Sequence, residues 1–441
     1  MFKSTVLVMF LMAWRNLWRN RVRTLILISA IGGSYGLSLF SMGMGDDMHG
    51  SLADKAGEIA GGHVLVHAKG FHADRESSQI IDAPPALLQL LRATPGVVEV
   101  APRVLIAGLL TTSESSAPIM LQGVDTDREK ALFDPTSKLT QGVMPKTGDG
   151  GQLGHPIVLG KGVMAELSVK LGDRVVLTSN RADGEVGRAL FLVTGVIATG
   201  SRDLDRAIAY TNLAGARSAL GLKGSQVHEL GIVADMTLAS ETIKTAVLAT
   251  LNAWDSGPGA QKGGKTVAGK TVTREVLTWQ QAMPEIVGFI EIDDAFNYVF
   301  LIVLFIIVAF AIANSFLMVV MERVREFGLL SALGVTGPRI AGLLILETAV
   351  LTLVSLTAGF LLGFTAHLAL QHWGLDVAEL YGVEMGVGGI DMGDMVLRSE
   401  LRPVKWLTAT VGAGTLVMLS ALYPAWKATR MAPSEAMRFY E

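Results

Sequence analysis

No cysteine occurs among the 441 residues. Disulfide frameworks and thiolate metal or redox sites are therefore excluded, and a small stapled secreted scaffold with them. Charge is scarce as well: Asp, Glu, Lys and Arg make up 17% of the chain, where a soluble protein carries roughly a quarter. The formal net charge is −3, so no global basic field exists to attract nucleic acid, and no nucleic-acid partner is expected. Apolar residues take the place of charge. Half the chain is hydrophobic and mean hydropathy is +0.44, which excludes a plain soluble enzyme and points to a membrane.

The apolar excess lies towards the two ends of the chain. Crossing about 30 Å of hydrocarbon at about 1.5 Å per residue takes about 20 residues. Thr24 to Gly45 is 22 residues without a charge, Ala295 to Met321 is 27, and Trp406 to Trp426 is 21. Ile340 to Leu375 is interrupted only by Glu347, His367 and His372. Four spans are therefore expected, at 24–45, 295–321, 340–375 and 406–426, with one preceding a large insert and three following it. Arg15, Arg19, Arg21 and Arg23 stand before the first; Arg323, Arg325 and Arg339 lie between the second and third; Lys427, Arg430 and Arg438 follow the fourth. Positive charge marks the cytoplasmic side, so both termini and the short 322–339 segment are placed in the cytoplasm. Arg398, Arg402 and Lys405, in the outer loop 376–405, count against this and are outnumbered.

Residues 1–23 read as an interfacial amphipathic helix, with Trp14 and Trp18 at the headgroups and Arg15, Arg19 and Arg23 four residues apart. Residues 427–441 form a cytoplasmic tail. Between the first two spans, 46–294 reads as an extracytoplasmic α+β or α/β domain. Strands are expected at 63–68, 156–160, 173–179, 188–198 and 228–235, where β-branched residues gather. Helices are expected at 83–96, 160–172 and 213–222.

Chemistry-bearing motifs are few. Gly259 to Thr266 reads GAQKGGKT and satisfies G-x-x-x-x-G-K-[ST]. That motif needs a buried strand before it and a helix after it whose amino end faces the phosphates. Turn residues precede this one, a glycine and β-branched residues follow it, and its expected side is away from ATP, so it is not taken as a nucleotide site. His63 and His67 fall on one strand face with His72 near. Two readings stand there, a metal site and solvated strand-face histidines. No catalytic motif and no metal site is expected.

Between the second and third spans the chain reads MERVREFGLLSALGVTGPRI, 321–340. Val320, Val324 and Phe327 share one stripe while Glu322, Arg323, Arg325 and Glu326 are polar. Gly334 and Gly337 end the helix, and Pro338 suits the first turn of the next. Residues alone allow either a short amphipathic helix on the inner membrane surface or a solvated charge run. Arg323, Arg325, Glu326, Phe327, Gly328, Leu329, Leu330, Ala332, Leu333 and Gly334 match the R-x-R-E-[IF]-G-L-L-x-A-L-G pattern of FtsX-type ABC transporter permeases. That superfamily includes the macrolide exporter MacB and the lipoprotein-releasing (LolC/LolE-like) permeases. AWRNLWRNRVRT at 13–24 resembles its amino-terminal A-W-R-N-L motif. PAWKATRMAPSEAMR at 424–438 resembles its carboxy-terminal ending, with Met437 where Leu is usual. PGVVEVAPRV, VLGKGVMAELSVKLGDRVVL and FLVTGVIATGSRDLD are similar to phrases of its periplasmic core domain.

The resemblance implies four transmembrane helices in a one-plus-three arrangement, with a MacB-like α+β periplasmic core between helices one and two. It makes 322–339 the coupling helix that docks on a separate ATPase, with Glu322 and the matched residues up to Gly334 as its coupling residues. ATP and Mg would then belong to that partner, a cytoplasmic ABC ATPase dimer, and this chain would hold no cofactor. A second permease subunit, identical or paralogous, and a periplasmic carrier or adaptor are implied too. The setting is the bacterial inner membrane, and the mode of action is mechanotransmission. VLTWQQAMPEIVGFIEID at 276–293 is similar to the approach segment of the lipoprotein-releasing members. Leu37, Phe40, Met44, Phe296, Phe300 and Phe305 then become a candidate lining for the acyl chains of a lipoprotein, or make ordinary contacts with lipid and neighbouring spans. Two other roles in the superfamily remain open: a tripartite efflux permease for peptides or antibiotics, and a regulator of cell-wall hydrolases.

Overall fold

In the computed structural model, which describes residues 11–130, 135–150, 154–199, 202–235, 239–256, 273–376, 386–387, 390–391 and 395–429, the four apolar runs are all helical. Helices long and apolar enough to cross a membrane span Leu11–Ala60, Pro284–Glu322, Gly337–Trp373 and Pro403–Lys427. The labels used below are α1 for Arg21–Ala60, α2 for Pro284–Glu322, α3 for the short Val324–Ala332, α4 for Gly337–Trp373 and α5 for Pro403–Thr429. The chain divides into two compact units. One draws on Met1–Gly50, Ile290–Gly382 and Met395–Glu441, and the other on Ser51–Phe289 and Val383–Asp394.

In the helical unit, α1 and α4 meet backbone to backbone. A Cβ placed on Gly32 would lie 2.8 Å from the Ser355 carbonyl oxygen and 3.3 Å from the Gly359 nitrogen, and one on Gly36 would lie 2.8 Å from the Gly359 oxygen. One on Gly363 would lie 3.0 Å from the Gly36 oxygen. Each helix thus presents two glycines four residues apart. Lipid tails are as apolar as leucine, so spans gain little from burying leucine against leucine; close van der Waals packing across small residues holds them instead. Beside this contact, Tyr35 and Leu39 are fully buried and pack with Trp406 and Ala413 of α5. The Tyr35 hydroxyl is hydrogen-bonded to that of Thr410.

The expected span 24–45 lies within α1, and the helix itself continues to Ala60. The acidic pair that follows Gly45 is bonded within the helical unit. Asp46 is 2% exposed and pairs with Lys405 and, at 3.8 Å, with Arg402. Asp47 accepts the Arg398 backbone N–H at 2.8 Å, and Arg402 also pairs with Glu400 at 3.0 Å. These contacts account for two of the three basic residues of the 376–405 loop that run against the positive-inside count. Lys405 and Arg402 are matched by carboxylates and offer little free positive charge.

The second unit is α+β. Its main sheet has ten strands: β1 Val64–Ala68, β2 Val97–Thr111, β3 Ser116–Val124, β4 Leu139–Gly142, β5 His155–Gly160, β6 Arg174–Asn180, β7 Val186–Ile197, β8 Ile208–Asn212, β9 Glu229–Ala234 and β10 Arg274–Thr278. They run in the order β10-β1-β9-β2-β3-β8-β5-β7-β4, and β6 pairs with both β2 and β7. That double pairing closes β2-β3-β8-β5-β7-β6 into a ring of six strands, filled by Ile106, Leu121, Ile157, Val175, Leu177, Phe191 and Val193. Closure removes open edges, which otherwise invite pairing with other chains. Helices Pro85–Arg92, Leu213–Leu220 and Ser240–Ser256 add their apolar faces to the same core.

All five expected strands and all three expected helices of this domain are present, the helices ending a few residues early. The long β2–β3 hairpin and the 240–256 helix were not anticipated. Pro102 and Gly108 interrupt the apolar pattern of β2, yet the strand accommodates both, Pro102 opposite Leu230 and Gly108 opposite Ile119 and Ser179.

Gly359→Leu is expected to separate α1 from α4 and to destabilise the helical unit by about 1–3 kcal/mol, the usual cost of overpacking. Gly342→Leu, at an α4 position where an added Cβ meets nothing within 4 Å, should be nearly silent. Thermal melting of the full chain in one detergent checks the contrast.

Candidate functional site

The segment between α2 and α4 is folded, not a solvated run. A single turn residue, Arg323, separates α2 from α3. Past Ala332 the chain reverses through Gly334 at φ 88°, a left-handed backbone that favours glycine. Thr336 precedes α4, which opens on Gly337 and Pro338. The stripe of Val320, Val324 and Phe327 is buried, and Val320 and Phe327 pack with Ile340, Leu344 and Ala425. Gly328 is also buried. The opposite face carries Arg325, Glu326 and Ala332 exposed, together with Leu329 at 64% and Leu333 at 75% exposure. Gly334 is exposed, and the side chain of Leu330 lies outside the described ones. An amphipathic helix anchored by Phe327 therefore holds two leucines, one turn apart, away from its own core.

An ion-pair network ties this helix to the amino-terminal segment. Arg23 meets both carboxylate oxygens of Glu322 at 2.7 and 2.6 Å, a bidentate pair. Arg19 donates to Glu326 at 3.0 Å. Arg323 donates through Nε to Glu326 at 2.8 Å and through Nη1 to Glu347 of α4 at 3.3 Å, and its guanidinium lies 5.3 Å from the Phe327 ring centre. Hydrogen bonding from Arg323, and secondarily from Arg19, holds the Glu326 carboxyl below the usual carboxylate range against a smaller effect of burial. The outer pair Arg19–Glu326 is solvated and contributes little by itself, about 0–1 kcal/mol. Arg323 and Glu347 are largely buried, so losing one partner would strand the other. Glu347, one of the three residues that interrupt the third apolar run, is buried against Arg323 and serves a structural pairing there. Arg19 and Arg23, read from sequence only as a basic interfacial stripe, are direct partners of the loop.

The six apolar residues considered for acyl chains do not all turn the same way. Leu37, Phe296 and Phe300 are exposed, Phe296 at 71%, while Phe40 and Met44 are half-buried. Phe305 turns inward onto the Tyr35–Leu39–Trp406 cluster. In the approach segment, Thr278 and Gln281 form a capping box around the turn Trp279–Ala282, and Trp279 is buried.

Among the described residues no group of three or more His, Cys, Asp or Glu is placed to hold a metal ion. The histidines are not solvated either. His67 is 0% exposed, its Nδ1 2.8 Å from the Ala68 carbonyl oxygen, and its ring stacks on His72 at 6.1 Å. His63 Nδ1 accepts the Ala234 N–H at 3.1 Å. A fourth histidine, His228, stacks on Phe71 at 5.0 Å; its Nδ1 accepts the Leu105 N–H and its Nε2 faces the Ser77 carbonyl at 3.2 Å. The GAQKGGKT motif and the tail beyond Thr429 lie outside the described residues.

The described chain thus combines four helices long and apolar enough to cross a membrane, an α+β unit, and an anchored amphipathic helix between the second and third of them. Residues 298–433 match the family described as FtsX-like permease C-terminal, and the chain carries that domain. Along most of its length it is similar to the lipoprotein-releasing system transmembrane protein LolC of Neisseria meningitidis, 23% identical over 368 residues, which cover 80% of this chain and 81% of that one. It is similar also to LolE of Haemophilus influenzae, 21% identical over 437 residues, 97% and 98% of the two chains. The periplasmic region of MacB from Actinobacillus actinomycetemcomitans aligns at a TM-score of 0.34 and 17% identity, over 50% of this chain and 90% of that one. The extracellular domain of the transporter YknZ from Gram-positive bacteria aligns at 0.32 and 12%, over 48% and 98%.

Burial pushes the His228 imidazole down to about 4 from its ordinary 6.5, against the hydrogen bonds at Ser77 and Leu105. Above the ordinary value both folded and unfolded chains hold a neutral ring. As pH falls from about 6.5 towards about 4, the unfolded chain gains a proton that the folded one refuses, and about 3 kcal/mol of stability is lost. Hydrogen exchange of β9 in the full chain should show protection falling across that window, and falling less steeply in His228→Gln.

Proposed function

We propose that this chain is the transmembrane permease subunit of an ABC transporter, working by mechanotransmission to extract lipoproteins from the inner membrane and pass them to a periplasmic acceptor. The observation that carries this reading is the α3 surface. Leu329 stands exposed on α3 and Leu333 one residue past its end, the opposite side is fixed by Phe327, and Glu326 is tied to Arg19 of the amino-terminal segment and, through Arg323, to Glu347 of α4. An apolar ridge on a rigid mount is suited to bear load from a docked partner. The partner would be a cytoplasmic ATPase dimer, which holds ATP and Mg. Both termini and α3 then lie in the cytoplasm and the 51–289 unit in the periplasm, as the basic clusters at Arg15–Arg23 and Arg323–Arg339 favour.

On this reading ATP closure pushes α3, and α1 and α2 carry the motion, since both are continuous in sequence with the 51–289 unit. A second permease subunit completes the translocating pair. The substrate class comes from the names of the relatives, and the outward Leu37, Phe296 and Phe300 are the residues suited to meet acyl chains. A soluble periplasmic carrier would receive the product.

Two measurements test the reading. In nanodiscs holding the permease with its ATPase, a triacylated lipoprotein should stimulate ATP hydrolysis; failure to bind or stimulate removes the substrate assignment. Leu329→Asp should cost co-purification of the ATPase at least about tenfold, as expected when a central apolar anchor is lost, while membrane insertion persists. Undiminished assembly in that variant would overturn the role of α3.

A further inference from the structure

The side chains that tie α1 to the α3 segment also wall a cavity of about 240 Å³ between α1, α2 and α4. Its lining is of two kinds. Arg19, Arg23, Glu322 and Glu347 supply charge of both signs, whereas Leu27, Phe316 and Leu351 supply an apolar wall. The division follows depth in the membrane. The charge-free run of α1 begins at Thr24, immediately after Arg23, and that of α2 ends at Met321, immediately before Glu322. The cavity therefore lies where hydrocarbon gives way to headgroups.

The charged groups retain bonding capacity. A guanidinium has five N–H donors, of which the ion pairs with glutamate use two at Arg23 and one at Arg19. Glu347 receives Arg323 through Oε2, and a carboxylate has lone pairs on both oxygens. The apolar wall is narrow: Leu27 is 9% exposed, Phe316 5% and Leu351 1%. A soluble phosphate would satisfy the arginines, but at the edge of the hydrocarbon the abundant phosphate-bearing ligand is a lipid, whose chains remain in the bilayer. The opposed charges further select among lipids: a phosphate accepts from Arg19 and Arg23, and a primary ammonium donates to Glu347 and Glu322, which a quaternary ammonium cannot do.

We propose that this cavity is a binding site for one phospholipid with a phosphoethanolamine headgroup, its phosphate at Arg19 and Arg23, its ammonium at the glutamates, and its chains in the adjoining hydrocarbon. The site is independent of the cargo assigned above, because its residues lie at the opposite end of the first two spans from the ectodomain connections. Nothing in it requires a lipoprotein.

Native mass spectrometry of the full chain, released from nanodiscs of phosphatidylethanolamine or phosphatidylcholine mixed with phosphatidylglycerol, tests the proposal. One phosphatidylethanolamine should survive delipidation, and phosphatidylcholine should be retained about tenfold less, the effect of lost charge-assisted hydrogen bonds. Leu27→Trp, which fills the cavity without touching an ion pair, should abolish retention. Arg19→Gln, at a side chain 59% exposed whose solvated pair with Glu326 contributes little by itself, should weaken it about tenfold and keeps the test valid if the tryptophan variant fails to fold. Equal retention of the two lipids, or unchanged retention in Arg19→Gln, would overturn the site. Equivalent protection by soluble glycerophosphoethanolamine would overturn the lipid and leave a phosphate site.

Discussion

Everything in the helical unit depends on one contact, that of Gly32 and Gly36 with Gly359 and Gly363. It brings the α1 and α4 backbones so close that an added methyl would strike a carbonyl oxygen. In lipid no hydrophobic force would draw these helices together, so the contact draws on dispersion over a long close approach and tolerates no bulk. The packing nearby follows from it. Towards one end Tyr35 and Leu39 fall onto α5, and towards the other Arg23 and Glu347 come within reach of the same loop. A looser crossing would draw Arg19 and Arg23 of the amino-terminal segment away from Glu326 and Glu322.

The loop helix α3 gains its rigidity from two sources acting on different faces. Phe327 fixes it by apolar burial against α4 and α5, while Arg19, Arg23 and Arg323 fix it by charge. Neither would serve alone. Surface ion pairs are individually weak and salt-sensitive, and one phenylalanine leaves the helix free to roll. Together they make α1, α3 and the start of α4 one mechanical piece, and the exposed Leu329 and Leu333 are where that piece meets the outside.

Much of this was legible in the amino-acid sequence, for reasons that also mark where legibility stops. Apolar runs without charge give long helices whatever surrounds them, and the Val320–Val324–Phe327 stripe obeys helical spacing, so its burial followed. The extent of α1 did not follow, because the partners of Asp46 and Asp47, which are Lys405 and Arg402 for the first and Arg398 for the second, stand more than 350 positions away. The β2 strand was masked by Pro102 and Gly108, which weaken a local pattern that register with β9 and β6 restores. The glycine contact did have a signal, two small-xxx-small pairs at 32–36 and 359–363. Resemblance located the coupling segment without giving the arginines that hold it, since ion pairs between distant positions leave no local spacing to read.

The central claim is that the amino-terminal helix and α3 move as one body. The chain has no cysteine, so spin labels at two introduced cysteines report without background. Val22 and Ala332, both exposed, are suitable positions that leave the Leu329 anchor intact, and the measurement is their separation by pulsed electron paramagnetic resonance as the bound ATPase is taken from its nucleotide-free to its ATP-closed state. One narrow distance, unchanged between the two states, is the predicted result. A shift of several ångströms, or a second population on closure, would contradict the account.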